Sequence, residues 1–376
     1  MHVFKHITGG GVESWLLQVM QHADRDRFQM DVAVRDNEPG PFDARFEALG
    51  ASVRHFYRRQ WDLNYALAFE EILSNHGPYD VVHCHSVFNG GLILRLALKH
   101  GVPVRVAHSH NAPTTDASSL RRFRVAHRAR RLARLWNRGV ACSLPAGQEL
   151  FGDGWRSNPS VRLLYCGVDL TPFQADPDAS ARDELGIPRG AFVVGHVGRF
   201  NEQKNHAFLV EIAERILSRD PDAWFLLIGD GELREGIEAS IRKREMSHRF
   251  VIASQRDDVP RLMTGAMDAF LLPSFHEGLP LVGMEAQAAG LPMVISDAIT
   301  TEMDSVPQLI KRLSLSQPAD EWAQAVLGLR GVDREAVRPV ALEAMEDSPF
   351  NILNSVEALQ AFYEDSLARL TGGAWR

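Results

Sequence analysis

Short apolar runs that end in glycine or a polar residue alternate with longer stretches of helical periodicity along this chain, and the alternation starts twice. That rhythm belongs to βαβ units, whose parallel sheets are covered by helices on both faces and so carry near-continuous apolar strands. In the first half, strands are expected at residues 3–7, 30–34, 81–84, 104–107, 139–142 and 161–164. In the second half they are expected at 192–197, 224–228, 250–252, 269–272 and 293–296. Between the halves, residues 170–178 are rich in proline and aspartate and lack periodicity, as a hinge does. The tail at 349–370 has Ile352, Val356, Leu359 and Phe362 at helical spacing. Such a helix either closes the second domain or crosses back to the first. The expected fold class is therefore α/β, with parallel-sheet domains at 1–172 and 173–348 and a terminal helix within 349–376.

Length and composition agree with this division. A chain of 376 residues, 45% hydrophobic and 24% charged, is too long for one comfortable core. Its formal charge of -7 argues against a global nucleic-acid binder. Cys84, Cys142 and Cys166 are odd in number and far apart, which fits a reducing compartment rather than a disulfide framework. The first residues run directly into glycines, and no stretch approaches the ~20 apolar residues of a membrane span. A cytoplasmic location is expected.

Three segments carry chemistry. Gly9-Gly10-Gly11 follows the first strand and opens a helix near Val12, where an α/β sheet presents backbone N–H groups to phosphate. A G-x-G-x-x-G fingerprint is missing, which argues against a dehydrogenase. Val197 to Asn205 lies at the carboxyl end of the second domain's first strand, and places Arg199 and Lys204 where two cations can converge on a pyrophosphate. Pro273 to Glu285 places Glu277 in a loop after a strand and Glu285 on the following helix, with Pro280 at the helix start and Gly290 and Pro292 at its stop. Carboxylates so placed suit sugar and ribose hydroxyls, and the amides of Gly278 and Leu279 suit phosphate oxygens.

Taken together, these residues resemble the retaining family 4 glycosyltransferases of GT-B fold. The likeness rests on Glu277 and Glu285 with seven residues between, Arg199 with Lys204, and the Gly-Gly turn, all in the expected order. Within that family the chain looks most like the capsular and exopolysaccharide branch, through Ala107-His108-Ser109-His110-Asn111, Gln203-Lys204-Asn205-His206 and Ile295-Ser296-Asp297. The resemblance implies two Rossmann-like domains facing each other across a cleft, an N-terminal one for the acceptor and a C-terminal one for the nucleotide-sugar donor.

It also implies roles. Arg199 and Lys204 would neutralise the leaving diphosphate, with Gly10 and Gly11 donating from the other domain. Glu285 would hold the ribose, Glu277 would face the donor sugar, and Gly278, Leu279 and Leu281 would line the donor site. Asp230 and Gly231 would edge it, and Arg256 would lie near the base. A histidine that contacts the donor sugar is matched by His108 or His110. His110 is slightly preferred because Asn111 follows it at the loop start, although strand alternation can equally turn His108 inward. His83 and His85 end the strand before, as cleft lining or as core histidines. No aspartate or cysteine completes a recognisable zinc spacing with these four. The resemblance further implies metal-independent transfer, a UDP-linked donor, no protein nucleophile, and a leaving phosphate that helps to deprotonate the acceptor.

Residues 121–138 contain no acidic side chain, and Arg121, Arg122, Arg124, Arg128 and Arg131 surround a loose apolar grouping of Phe123, Leu132, Leu135 and Trp136. A basic helix of this kind suits anionic lipid headgroups or a polyprenyl-diphosphate-linked glycan acceptor, which places the protein peripherally at the inner face of the membrane. Two further readings share the architecture. One is a nucleotide-sugar epimerase, which needs no lipid acceptor; the other is a catalytically silent regulatory subunit, for which Arg199, Lys204, Glu277 and Glu285 would serve no purpose.

Overall fold

A computed structural model describes the chain except for residues 8, 37, 41, 57–62, 86–89, 111–134 and 372–376, and except for the side chains of 63, 64 and 371. The chain forms two compact units. The first comprises Met1–Gly167 with Ile352–Arg376, and the second Val168–Asn351.

Seven parallel strands build the first unit: β1 (His2–Phe4), β2 (Val32–Val34), β3 (Val53–His55), β4 (Val81–Cys84), β5 (Val104–Ser109), β6 (Arg138–Ala141) and β7 (Val161–Leu163). Their order is β3-β2-β1-β4-β5-β6-β7. Six parallel strands build the second: β8 (Val193–Val197), β9 (Trp224–Ile228), β10 (Phe250–Ala253), β11 (Ala269–Leu272), β12 (Met293–Ser296) and β13 (Ile310–Leu313), in the order β10-β9-β8-β11-β12-β13. In both units the strand order reverses beside the first strand, at β1/β4 and at β8/β11. A crevice opens there at the carboxyl ends, which is where such sheets bind ligands.

The strands form where apolar side chains can be buried on both faces. β11 and β12 are buried at every position, and Leu209, Val210, Ile212, Ala213 and Ile216 of the helix His206–Leu217 pack on the second sheet beside Trp322. Two strands that the sequence conceals are β3 and β13. Both lie at sheet edges, and their sequences, VRH and IKRL, mix cations with apolar residues, so no continuous apolar run marks them.

The division falls at Gly167, a few residues before the expected boundary at 172, because Thr171–Gln174 already forms a short helix that buries Phe173 within the second unit. The Val168 amide donates to the Phe350 carbonyl at 2.7 Å, so the two crossings of the chain run side by side. The terminal helix, Ile352–Thr371, belongs to the first unit, where it packs on the helix Gly11–His22. Trp15 Nε1 donates to Ser355 Oγ at 3.0 Å, which in turn donates to the Tyr165 carbonyl at 2.8 Å.

One expectation is corrected here. Arg138 opens β6, and its guanidinium Nε donates to Ser366 Oγ at 3.1 Å, so a basic helix cannot run as far as residue 138. Arg121, Arg122, Arg124, Arg128 and Arg131, like Asn111, lie outside the described residues.

Candidate active site

In the second unit the loops after β8 and β11 are joined at the point where the strand order reverses. Asn201 Oδ1 accepts from the Lys204 amide at 3.3 Å and caps the turn Glu202–Lys204. Asn205 then takes a left-handed conformation, φ 54°, which turns the chain into the helix His206–Leu217. Its Nδ2 donates to the Pro273 carbonyl at 3.1 Å, while Gln203 Nε2 donates to the His276 carbonyl at 2.9 Å and to Glu277 Oε2 at 3.1 Å. The Phe275 amide returns a bond to the Gln203 carbonyl.

On this frame Lys204 Nζ donates to Glu277 Oε1 at 2.7 Å, with the side chains only 14% and 7% exposed. Residues that sequence reading assigned to diphosphate and to sugar are thus each other's partners. A paired cation and carboxylate at a strand end is neutral as a unit, and it offers an entering anion a positioned ammonium without leaving either charge unpaired in the meantime. Arg199 follows β8 on the same loop.

Glu285 lies on the helix Leu281–Ala288, which Pro280 caps and which ends before Gly290 in a left-handed conformation, φ 63°. Burial pushes its carboxyl up to about 7, and Lys204 only partly opposes this. Near neutral pH it can therefore both donate to and accept from a pair of hydroxyls. Gly278 is buried, with Leu279 and Leu281 half-buried on either side of Pro280. Gly229 (φ 146°) and Gly231 (φ 156°) bring the loop after β9 against that after β8: an added Cβ would lie 2.0 Å from the Gly198 carbonyl oxygen or 2.5 Å from that of Phe200. Their glycine identity thus has a packing cause. Asp230 between them accepts from the Gly231 amide and pairs with Arg234 at 3.2 Å. Arg256 is held by both oxygens of Asp258, at 2.7 and 2.8 Å, which fixes its guanidinium.

The first unit presents a different surface at the same point of its sheet. Gly10 caps the helix Gly11–His22, whose first turn carries the buried Glu13. Side chains two apart on a strand share a face, so His83 lies beside His85, and His108 beside His110. The parallel register sets His2 of β1 opposite His83. Five imidazoles meet there under Trp15 and Tyr363. All five are displaced well below the usual histidine range by burial, His110 to about 3, and are neutral at pH 7. Sequence reasoning found four of them and missed His2 and Tyr363, which reach the cluster only through strand register and the terminal helix. His2, His83 and His85, and likewise His85, His108 and His110, bring ring nitrogens within 4.8 Å of one another, as a metal would require.

Comparisons with known proteins fit both halves. The family profile described as "Glycosyl transferase 4-like domain" matches residues 10–167, and that described as "Glycosyl transferases group 1" matches residues 178–329. The protein EpsF of Bacillus subtilis (strain 168) is 33% identical over 375 residues, which cover 97% of this chain and 96% of that protein. The chain belongs to the family 4, or group 1, glycosyltransferases. Another relative of this glycosyltransferase is the Escherichia coli UDP-Gal:alpha-D-GlcNAc-diphosphoundecaprenol alpha-1,3-galactosyltransferase, 29% identical over 76% of each chain. Among solved structures, Anabaena Alr3699/HepE in complex with UDP-glucose superposes with a TM-score of 0.77 at 18% identity, covering 96% of this chain and 98% of that one. The fold of the glycosyltransferase is therefore GT-B, built on two Rossmann-like units. Among the described residues, no helix is long and apolar enough to cross a membrane.

Proposed function

We propose that this glycosyltransferase moves a hexose or N-acetylhexosamine from a UDP-sugar to a lipid-linked glycan, with retention of configuration, in the synthesis of a surface polysaccharide. The observation that carries the reading is the Lys204–Glu277 pair at the β8/β11 strand ends, on the loop that also bears Arg199. In this reading the diphosphate draws Lys204 and Arg199 to itself, and Glu277, released from part of its pairing, turns its oxygens to sugar hydroxyls. Glu285 holds the ribose. The amides of Gly278 and Leu279 meet phosphate oxygens, Asp230 and Gly231 edge the nucleotide site, and Arg256 lies near the base. In the first unit, Gly10 and Gly11 offer amides, and the imidazole edge of His108 or His110 serves the sugar.

The bond from the anomeric carbon to the phosphate oxygen breaks, and a bond to the acceptor oxygen forms on the same face. The acceptor proton passes to the leaving phosphate, so no protein nucleophile is assigned. The two cations supply the charge stabilisation, and the reading takes no divalent ion. The HepE complex with UDP-glucose and the E. coli enzyme named for a UDP-galactose donor and a diphosphoundecaprenol acceptor support the choice of donor and acceptor class. The basic segment with Arg121, Arg122, Arg124, Arg128 and Arg131 supports a peripheral association with anionic lipid.

The test is turnover of a UDP-sugar panel with and without a polyprenyl-diphosphate-linked glycan, followed by determination of the product's anomeric configuration. UDP release that requires the glycolipid, with a retained anomer, is expected. A new nucleotide sugar formed without glycolipid would mean an epimerase, and binding without turnover would mean a regulatory subunit. Replacing the five arginines by glutamine is expected to lower flotation with anionic vesicles; equal flotation removes the membrane role.

A further inference from the structure

The five histidines are connected in a way that their clustering alone does not require. His110 Nε2 meets His85 Nδ1 at 2.8 Å, and His85 Nε2 meets His2 Nδ1 at 2.9 Å. His2 Nε2 lies 3.4 Å from the Tyr363 hydroxyl, which meets His83 Nδ1 at 2.6 Å. His83 Nε2 then meets His108 Nδ1 at 2.9 Å, and His108 Nε2 is buried with no partner among the described residues. Every ring-to-ring link joins a Nδ1 to a Nε2.

A neutral imidazole has one N–H and one bare nitrogen, and a phenol donates once while accepting. With one proton per link, fixing the tautomer of any ring fixes all the others. If His108 carries its proton on Nε2, then His83 donates from Nε2, Tyr363 donates to His83 and accepts from His2, and His2, His85 and His110 all carry Nε2 protons. If His108 is protonated on Nδ1, every link reverses, and all five rings carry Nδ1 protons. Mixed states leave two donors or two bare acceptors facing each other in a buried place, at about 1–3 kcal/mol for each group left unpaired.

We propose that Tyr363 and the five histidines form one hydrogen-bonded relay with only these two proton arrangements, and that Tyr363 is the positioning residue that sets whether His108 Nε2 offers a donor or an acceptor. Conversion between the arrangements moves each proton across its own link, takes one proton up at His110 Nδ1 and releases one at His108 Nε2, and leaves the net charge unchanged. The phenol is the joint between two half-chains, Tyr363–His83–His108 and His2–His85–His110, and the 3.4 Å link is the longest. A shared metal ion is the competing use of these rings. Two nitrogens on one tetrahedral zinc sit about 3.3 Å apart, whereas the ring-to-ring links here are 2.8–2.9 Å, as hydrogen bonds are. Among the described residues, no carboxylate hydrogen-bonds to the five rings to offset a dication. That the His108 edge serves the sugar rests on the function proposed above; the tautomer coupling does not.

The experiment is nitrogen NMR of the full chain carrying 15N-labelled histidine, with long-range proton–nitrogen spectra that separate protonated from bare ring nitrogens. All five rings are expected in one tautomer. Two tautomers among the five would overturn the relay, and this measurement requires no variant. In Tyr363→Phe, His83 and His108 are expected to lose their agreement with His2, His85 and His110, and kcat with a UDP-sugar and glycolipid is expected to fall about tenfold with donor KM within twofold. Unchanged tautomers and unchanged kcat in that variant would overturn the role of Tyr363. Uniform tautomers in a protein that transfers no sugar would instead count against the proposed function alone.

Discussion

The two units place chemistry at the same address, the carboxyl ends beside the first strand of a parallel sheet, yet they furnish it in opposite ways. At β8/β11 the groups are charged: Lys204 and Glu277 pair at 2.7 Å, with Arg199 on the same loop. At β1/β4/β5 they are neutral: five imidazoles bond to one another and to a phenol. A fixed charge is suited to a ligand that is always an anion, because the attraction requires no proton to move. Neutral imidazoles suit hydroxyls, which can be read as donor or acceptor according to the tautomer. The contrast is between fixed charge and neutral, tautomer-dependent groups at the same position of two similar sheets.

The largest expected difference between the units is in acid. The five histidines are held below their unfolded value of 6.5, so the unfolded chain takes up protons first as pH falls, and stability is full above 6.5 and lost below it. Each contributes about 1.4 kcal/mol per pH unit, up to ~7 kcal/mol per unit for five. In the second unit, His196 and His206, the latter lowered to about 4, act in the same direction and give up to ~3 kcal/mol per unit. Hydrogen exchange followed by mass spectrometry between pH 7 and 5 is expected to lose protection in peptides from β1, β4 and β5 before those from β8 and β11. The reverse order would break the comparison.

Next in size is loss of the charged pair. Glu277→Ala and Lys204→Ala are each expected to lower kcat/KM at least a hundredfold, about 2.7 kcal/mol of transition-state stabilisation, with circular dichroism unchanged. Unchanged rates in both would detach the pair from the chemistry.

The smallest effect sharpens the picture within the second unit. Folding raises the Glu285 carboxyl from an ordinary value of 4.5 to about 7, so the unfolded chain releases this proton first as pH rises. Stability is full below 4.5, falls between 4.5 and 7, and stays reduced above. Glu285→Gln is therefore expected to be about 2 kcal/mol more stable than the parent at pH 8 without ligand, below the ~3.4 kcal/mol of the full displacement because water still reaches the half-buried carboxyl, and equal to it at pH 4. A denaturant titration at the two pH values measures it; equal stability at pH 8 would remove the burial argument.

How much of this the sequence revealed follows from the range of the interactions. The loop after β8 and the loop after β11 are set by local signals, namely an apolar run, a turn and a helix start, and Arg199, Lys204, Glu277 and Glu285 were legible there. That Lys204 and Glu277 bond to each other was not, because the contact spans 73 residues and requires β8 and β11 to be neighbours. In the first unit, alternation along β4 and β5 marked four histidines. His2 joined them through parallel register, and Tyr363 through a helix that the chain adds 280 positions after His83. The edge strands β3 and β13 were hidden because an edge can carry charge.

The central claim, that the charged strand ends of the second unit bind the nucleotide diphosphate, is tested most directly by calorimetric titration of UDP into the parent, Lys204→Ala and the paired Lys204→Met/Glu277→Gln variant. The paired change keeps shape and neutrality, so it separates loss of the ammonium from the carboxylate left unpaired. Binding to the parent, weakened at least tenfold in both variants, is the expected result. UDP affinity that is the same in all three proteins would contradict the account.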